Sequence, residues 1–171
     1  MLNFKNASLN DIIPLADFIN QAYRGDYAKK GWTTEADILD GQRTDAEDLQ
    51  EIITTPSNQI LLAFEDEELV GCVHLHFENS DSLYFGMLTV EPSKQSLGIG
   101  KKLILHIEEI ARQKKIKELR ISVIPLRSEL IAYYERRGFQ KTGRFEPFPS
   151  DPRYGIPKTS ELRLDEYIKK L

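Results

Sequence analysis

The stretch Val90-Glu91-Pro92-Ser93-Lys94-Gln95-Ser96-Leu97-Gly98-Ile99-Gly100-Lys101-Lys102 decides how the rest of the chain is read. The apolar run Leu83 to Val90 leads into it and predicts a strand, and the amphipathic run Ile99 to Lys114 leaves it and predicts a helix. Gly98 and Gly100 lie where loop becomes helix, so no bulky side chain keeps a ligand off the backbone there. The first N–H groups of a helix have no intrahelical acceptor, and the helix dipole adds about half a positive charge. A strand, a glycine-bearing turn and a helix N-terminus together predict an anion site, with the diphosphate of a cofactor as its anion.

Upstream, Leu2 and Phe4 alternate with polar neighbours as a short strand would. Asp11 precedes an amphipathic helix with a stripe of Ile12, Leu15, Ala16, Ile19, Ala22 and Tyr23, which Gly25 ends. Residues 26 to 43 are irregular, with a short helix expected over Glu35 to Asp40. Thr44-Asp45-Ala46-Glu47 reads as a capping box opening a helix that stops before Pro56. A meander follows: strands at Gln59 to Glu65, Leu69 to Phe77 and Ser82 to Val90. On the helix of the opening stretch, Ile99, Leu103, Ile107, Ile110 and Ala111 face inward, and Glu108 pairs with Arg112 on the outer side. Leu119 to Ile124 is a further strand, Ser128 caps the next helix and Gly138 stops it. Strands Phe139 to Phe145 and Ser160 to Asp165 flank a proline-rich excursion. The pattern predicts an α/β fold, one central twisted mixed sheet of about six or seven strands flanked by about four helices, as a single domain over 1–171.

With 171 residues the chain can bury one proper core. A formal charge of −4 argues against a sequence-independent grip on nucleic acid. No apolar run approaches bilayer length and the first residues lack the apolar core of a signal peptide, so no membrane association is expected. One cysteine, Cys72, permits no internal disulfide and fits a reducing, cytoplasmic setting. Cys72, His74 and His76 share a strand face, but positions four apart are roughly 13 Å distant along a strand, so no metal site is expected.

Two common phosphate loops fail here. A dinucleotide fold needs Gly-x-Gly-x-x-Gly after the first strand, and a P-loop needs four residues between glycines followed by Lys-Ser/Thr. The stretch instead resembles the acetyl-coenzyme A signature of the GNAT superfamily of N-acetyltransferases, Gln/Arg-x-x-Gly-x-Gly/Ala preceded by Val-x-Pro. Gln95, Gly98 and Gly100 fit it, with Val90 and Pro92 in place. A second landmark of that family, Tyr-x-x-x-Gly-Phe, is matched by Tyr134, Gly138 and Phe139.

The resemblance implies a GNAT-like fold and acetyl transfer from acetyl-coenzyme A to a primary amine by direct attack in a ternary complex. It assigns the cofactor to Leu88, Val90, Gln95, Ser96, Leu97, Gly98, Ile99, Gly100 and Lys101. An oxyanion donor, typically contributing about 3 kcal/mol, falls at the bulged end of the central strand, Leu88 to Val90, with Val90 preferred. Tyr134 becomes the acid that protonates the departing thiolate. Glu78, Glu91, His74 and His76 are the candidates for the base. Many members carry an asparagine where this chain has Arg127, so that asparagine's role is not transferred. The family's acceptor walls correspond to Trp32, Gln42, Arg43, Thr44 and Phe148. Arg43 before a helix N-terminus suits a carboxylate, so the expected acceptor is a small metabolite amine bearing an acid. Alternatives are acetylation of a protein or peptide and a non-catalytic coenzyme A-binding module. A monomer or homodimer is expected.

Overall fold

The computed structural model describes residues 1–171. The chain runs β1 (Leu2–Asn6), α1 (Ile12–Tyr23), α2 (Gly25–Ala28), β2 (Leu39–Asp40), α3 (Ala46–Thr54), β3 (Asn58–Glu65), β4 (Glu68–Phe77) and β5 (Ser82–Val90). It continues with α4 (Ile99–Gln113), β6 (Glu118–Val123), α5 (Ser128–Glu135), β7 (Gln140–Pro147), β8 (Ile156–Pro157) and β9 (Arg163–Lys170). A seven-stranded sheet has the order β1-β3-β4-β5-β6-β9-β7, and β2 pairs with β8 in a small separate ribbon. All neighbours in the large sheet are antiparallel except β5 and β6, which are parallel, so the sheet is mixed as expected.

Apolar residues on each sheet face explain the layers. Ile12, Leu15 and Ile19 of α1 and Leu49 of α3 pack with Ile60, Leu62 and Cys72 on one side. On the other, Ile99, Leu103, Ile104, Ile107 and Ala111 of α4 pack with Leu61, Val73, Leu75, Leu83 and Phe85, and Tyr134 and Phe139 join them. Burying such side chains contributes roughly 1.5–3 kcal/mol each before chain entropy is counted.

Four local expectations are corrected. Residues Glu35 to Asp40 form no helix; Leu39 and Asp40 instead pair with Pro157 and Ile156, a partner far along the chain. The α3 cap is Asp45, whose side chain accepts from the Asp48 N–H, while the Thr44 hydroxyl donates to the Asp48 carboxylate at 2.6 Å. Glu108 is buried, not outward, because Lys169 of β9 reaches it at 2.6 Å along with Arg112 at 2.9 Å. The last strand is Arg163–Lys170, later than expected. Its buried acids Asp165 and Glu166 are held inside the sheet by pairing with Lys141, Arg163, Arg120 and Arg144.

Two irregularities prepare a site. Between β4 and β5 the register slips, with Cys72 opposite Thr89 but His74 opposite Gly86. Met87 sits in the extra residue's place with a left-handed φ of 53°, a costly conformation for a non-glycine. Beyond this, β5 and β6 pair only through Ser82, Leu83 and Tyr84 before the strands part.

Candidate functional site

The parted strands open a cavity of about 700 Å³ lined along its length by Phe85 to Leu88 and Val90 on one side and Ile121 to Ile124 on the other. Main-chain direction follows from the ladder. The Glu91 N–H reaches the Val70 carbonyl at 3.0 Å, so at the adjacent pair Gly71 and Val90 the backbone groups turn away from each other. The Val90 N–H therefore points into the gap. The Leu88 carbonyl, two residues back, accepts from the Tyr23 hydroxyl at 3.0 Å. Burial pushes the Tyr23 hydroxyl up to about 12, so it stays a donor.

At one end of the cavity lies the glycine loop. Gly98 is the left-handed residue before α4 (φ 82°), and an added Cβ would meet nothing, so conformation and not room calls for glycine. The Gln95 and Leu97 N–H groups are engaged by Pro92 and Lys94, and Lys102 bonds back to Gly98. The N–H groups of Ser96, Gly98, Ile99, Gly100 and Lys101 have no acceptor in the protein. Gln95, Ser96 and Gly98 to Lys101 line the cavity; Leu97 does not and points to solvent. The Gln95 side chain turns to the loop before β2, approaching Gly31 and the Val90 carbonyl.

In the middle stands Tyr134. It is 6% exposed, lines the cavity and makes no hydrogen bond through its hydroxyl to the protein. Burial raises its pKa far above the ordinary phenol value, so it remains protonated. Phe85, Tyr133 and Phe139 contact its ring edge-on or tilted and fix the rotamer.

At the other end, Arg43 lines the cavity with its guanidinium 5.4 Å from the centre of the Tyr23 ring and no carboxylate partner. Asn20 of α1 holds this segment, accepting from the Arg43 and Thr44 N–H groups at 2.7 and 3.0 Å. Trp32 and Phe148 also line the cavity, Trp32 tilted against Tyr133 at 5.3 Å. Gln42 and Thr44 do not: Gln42 bonds to Asp45, and Thr44 is fully buried on Asp48.

The candidates for the base fare differently. Glu78 lies at the opposite end of β5, bidentate to Arg120 and bonded to Ser82, outside the cavity. Glu91 also lies outside, accepting from Tyr27 and Ser93. Burial lifts both carboxyls, but these bonds outweigh it and hold them below the usual range, which makes them poor bases. His76 shares the Asn58 amide with His74 at 2.7 and 3.1 Å, but only His74 faces the cavity. Burial lowers His74 to about 4, so it is neutral at physiological pH. Its folded value lies below the unfolded 6.5, so its contribution is full above pH 6.5 and is lost as pH falls toward 4. That loss amounts to about 3 kcal/mol, and in urea titrations at pH 7 and pH 4.5 the His74→Gln variant is expected to show the smaller drop in stability. No group of three His, Cys, Asp or Glu side chains could hold a metal ion.

Sequence reading missed a buried network beside Tyr134. Glu35 accepts from Arg24 at 2.8 Å and from Arg127 at 3.1 Å, and Arg127 also reaches the Thr33 hydroxyl at 2.8 Å. Arg24 further bonds the Gln42 and Tyr154 carbonyls, so one cluster ties the end of α1, the loops around residues 42 and 154 and the start of α5. Arg127 thus braces the wall. No periodic signal marks these residues, since Glu35 sits in the irregular segment.

A parallel strand pair held apart beside free helix-start amides is the architecture of an acyltransferase that admits a long phosphorylated carrier between its strands. The model of the acetyltransferase (GNAT) family matches residues 18–139, and the chain belongs to that family of N-acetyltransferases. It is 28% identical over 108 residues to an IAA acetyltransferase of Azospirillum brasilense, covering 61% of this chain and 69% of that protein. A GNAT family acetyltransferase of Elizabethkingia anophelis, solved with acetyl-CoA bound, is 18% identical and superposes with a TM-score of 0.66 over 99% of this chain and 98% of its own. The PaiA N-acetyltransferase of Thermoplasma acidophilum, solved in complex with coenzyme A, is 21% identical with a TM-score of 0.69 over 100% and 99%. No helix is long and apolar enough to cross a membrane.

Proposed function

We propose that residues 1–171 act as one domain that moves the acetyl group of acetyl-coenzyme A to the primary amine of a small acceptor bearing a carboxylate. One observation carries this reading: a single cavity is lined by the free amides of Ser96 and of Gly98 to Lys101, the Val90 N–H, the Tyr134 hydroxyl and the unpaired Arg43. The loop amides hold the diphosphate, and the thioester lies along the unpaired edge of β5. The acceptor nitrogen, once neutral, attacks the carbonyl carbon. Negative charge gathers on the carbonyl oxygen, where the Val90 N–H stabilises it. As the oxyanion reforms the carbonyl and the carbon–sulfur bond breaks, the Tyr134 hydroxyl donates its proton to sulfur, and the proton shed by the attacking nitrogen passes through water to restore the phenol. The same dry surroundings that raise the phenol also raise the nascent thiol, which keeps that transfer feasible.

Arg43 supports an acid-bearing acceptor over a lysine-rich peptide, because a basic peptide would meet a cation at the cavity's end. The test is thiol release from acetyl-coenzyme A with amino acids, polyamines, aminoglycosides and short peptides. For the acid-bearing substrate identified, Arg43→Ala is expected to raise the acceptor KM roughly tenfold or more. The KM for acetyl-coenzyme A should stay unchanged. An unaltered acceptor KM would remove the carboxylate reading, and turnover with no amine at all would favour a non-catalytic module.

A further inference from the structure

The acetyl-coenzyme A reading leaves one charge of the carrier without a partner. Coenzyme A bears a diphosphate and, on its ribose, a separate 3′-phosphate dianion. The loop amides suffice for the first. We infer that Arg137, just past the end of α5, takes the 3′-phosphate and sets the enzyme's preference for coenzyme A over carriers that lack it.

Four observations carry this. Arg137 lines the same cavity as Gly100 and Lys101. Its guanidinium carbon lies 3.4 Å from the centre of the Tyr133 ring, and its Nη1 donates to the Tyr133 carbonyl at 2.7 Å, so the group is stacked and held in one orientation. Tyr133 itself leans on the glycine loop: a Cβ added to Gly100 would come within 2.9 Å of its hydroxyl. The stack therefore places a fixed cation beside the start of α4 without joining the amide cluster. Last, the Arg137 charge is unspent. No carboxylate pairs with it, and its Nε is buried without any acceptor. The two buried arginines of the cavity, Arg24 and Arg127, by contrast share Glu35. A planar guanidinium with free N–H groups matches phosphate oxygens bidentately, and stacking removes much of the entropy it would otherwise lose on binding.

The experiment measures Kd by calorimetry for coenzyme A and for dephospho-coenzyme A, which differs only in lacking the 3′-phosphate. Wild type, Arg137→Gln and Arg137→Lys are compared, with thermal melts to establish that each is folded. Arg137→Gln is expected to weaken coenzyme A binding roughly tenfold and dephospho-coenzyme A less than twofold, with Arg137→Lys intermediate for coenzyme A. Equal weakening of both ligands would overturn the assignment, since it would mean that Arg137 acts on the diphosphate or only supports Tyr133. So would no weakening of either. Wild type that binds neither ligand would instead defeat the acetyl-coenzyme A reading on which this inference rests.

Discussion

Tyr134→Phe is expected to lower kcat by at least about a hundredfold while the Kd for acetyl-coenzyme A changes less than about twofold. The substitution removes a single oxygen from a ring that Phe85, Tyr133 and Phe139 already hold in place. Packing should survive, and only the proton donor is lost. The pH profile adds a second, independent reading. Because burial keeps the hydroxyl protonated far above the ordinary phenol range, Tyr134 should impose no fall in kcat between pH 8 and pH 10. Steady-state kinetics over that range check both. Unchanged turnover in the variant would remove the acid role, whereas an alkaline fall in the wild type that the variant abolishes would keep that role and mean that the hydroxyl titrates lower than its burial implies.

Glu35→Ala is expected to destabilise the fold by about 3–5 kcal/mol. Glu35 is 6% exposed and is the only carboxylate paired with Arg24 and Arg127, each 7% exposed. Removing it leaves two cations buried close together with no counter-charge. The Arg24 and Arg127 Nε atoms already lack acceptors, so the site has little slack with which to compensate. For a chain of this length the melting temperature should fall by roughly 6–20 °C. Glu35→Gln, which retains one acceptor oxygen, should lie between. A loss below about 1 kcal/mol by calorimetry would mean that water reaches the arginines.

What could be read in the sequence was what local periodicity and fixed spacing encode. The meander, α4 and the anion loop follow from alternation, a 3.6-residue stripe and two glycines. The landmarks at Gln95, Gly98 and Tyr134, which line one cavity, could be picked out for the same reason: their spacing is local. The acceptor end was legible only in part. Trp32, Arg43 and Phe148 face the cavity, but Gln42 and Thr44 are taken by Asp45 and Asp48 at the start of α3, and Glu78 and Glu91 by the distant Arg120 and Tyr27. The Glu35 network is wholly non-local, joining residues 24, 35, 127 and 154. The same cause shifted the last strand, expected to stop at Asp165: long-range partners hold Asp165 and Glu166 inside the sheet, and β9 runs on to Lys170.

The strand order β6-β9-β7 has a bearing on biosynthesis. During translation β7 emerges before the only strand that will pair with it, and in the finished sheet it remains an edge. Such a strand is a template for strangers. Lys141, Arg144 and Glu146 along it, the left-handed Gly143 that breaks its line and Pro147 at its end make it a poor one. A nascent chain waiting for its closing strand therefore presents its neighbours with an edge ill suited to pairing.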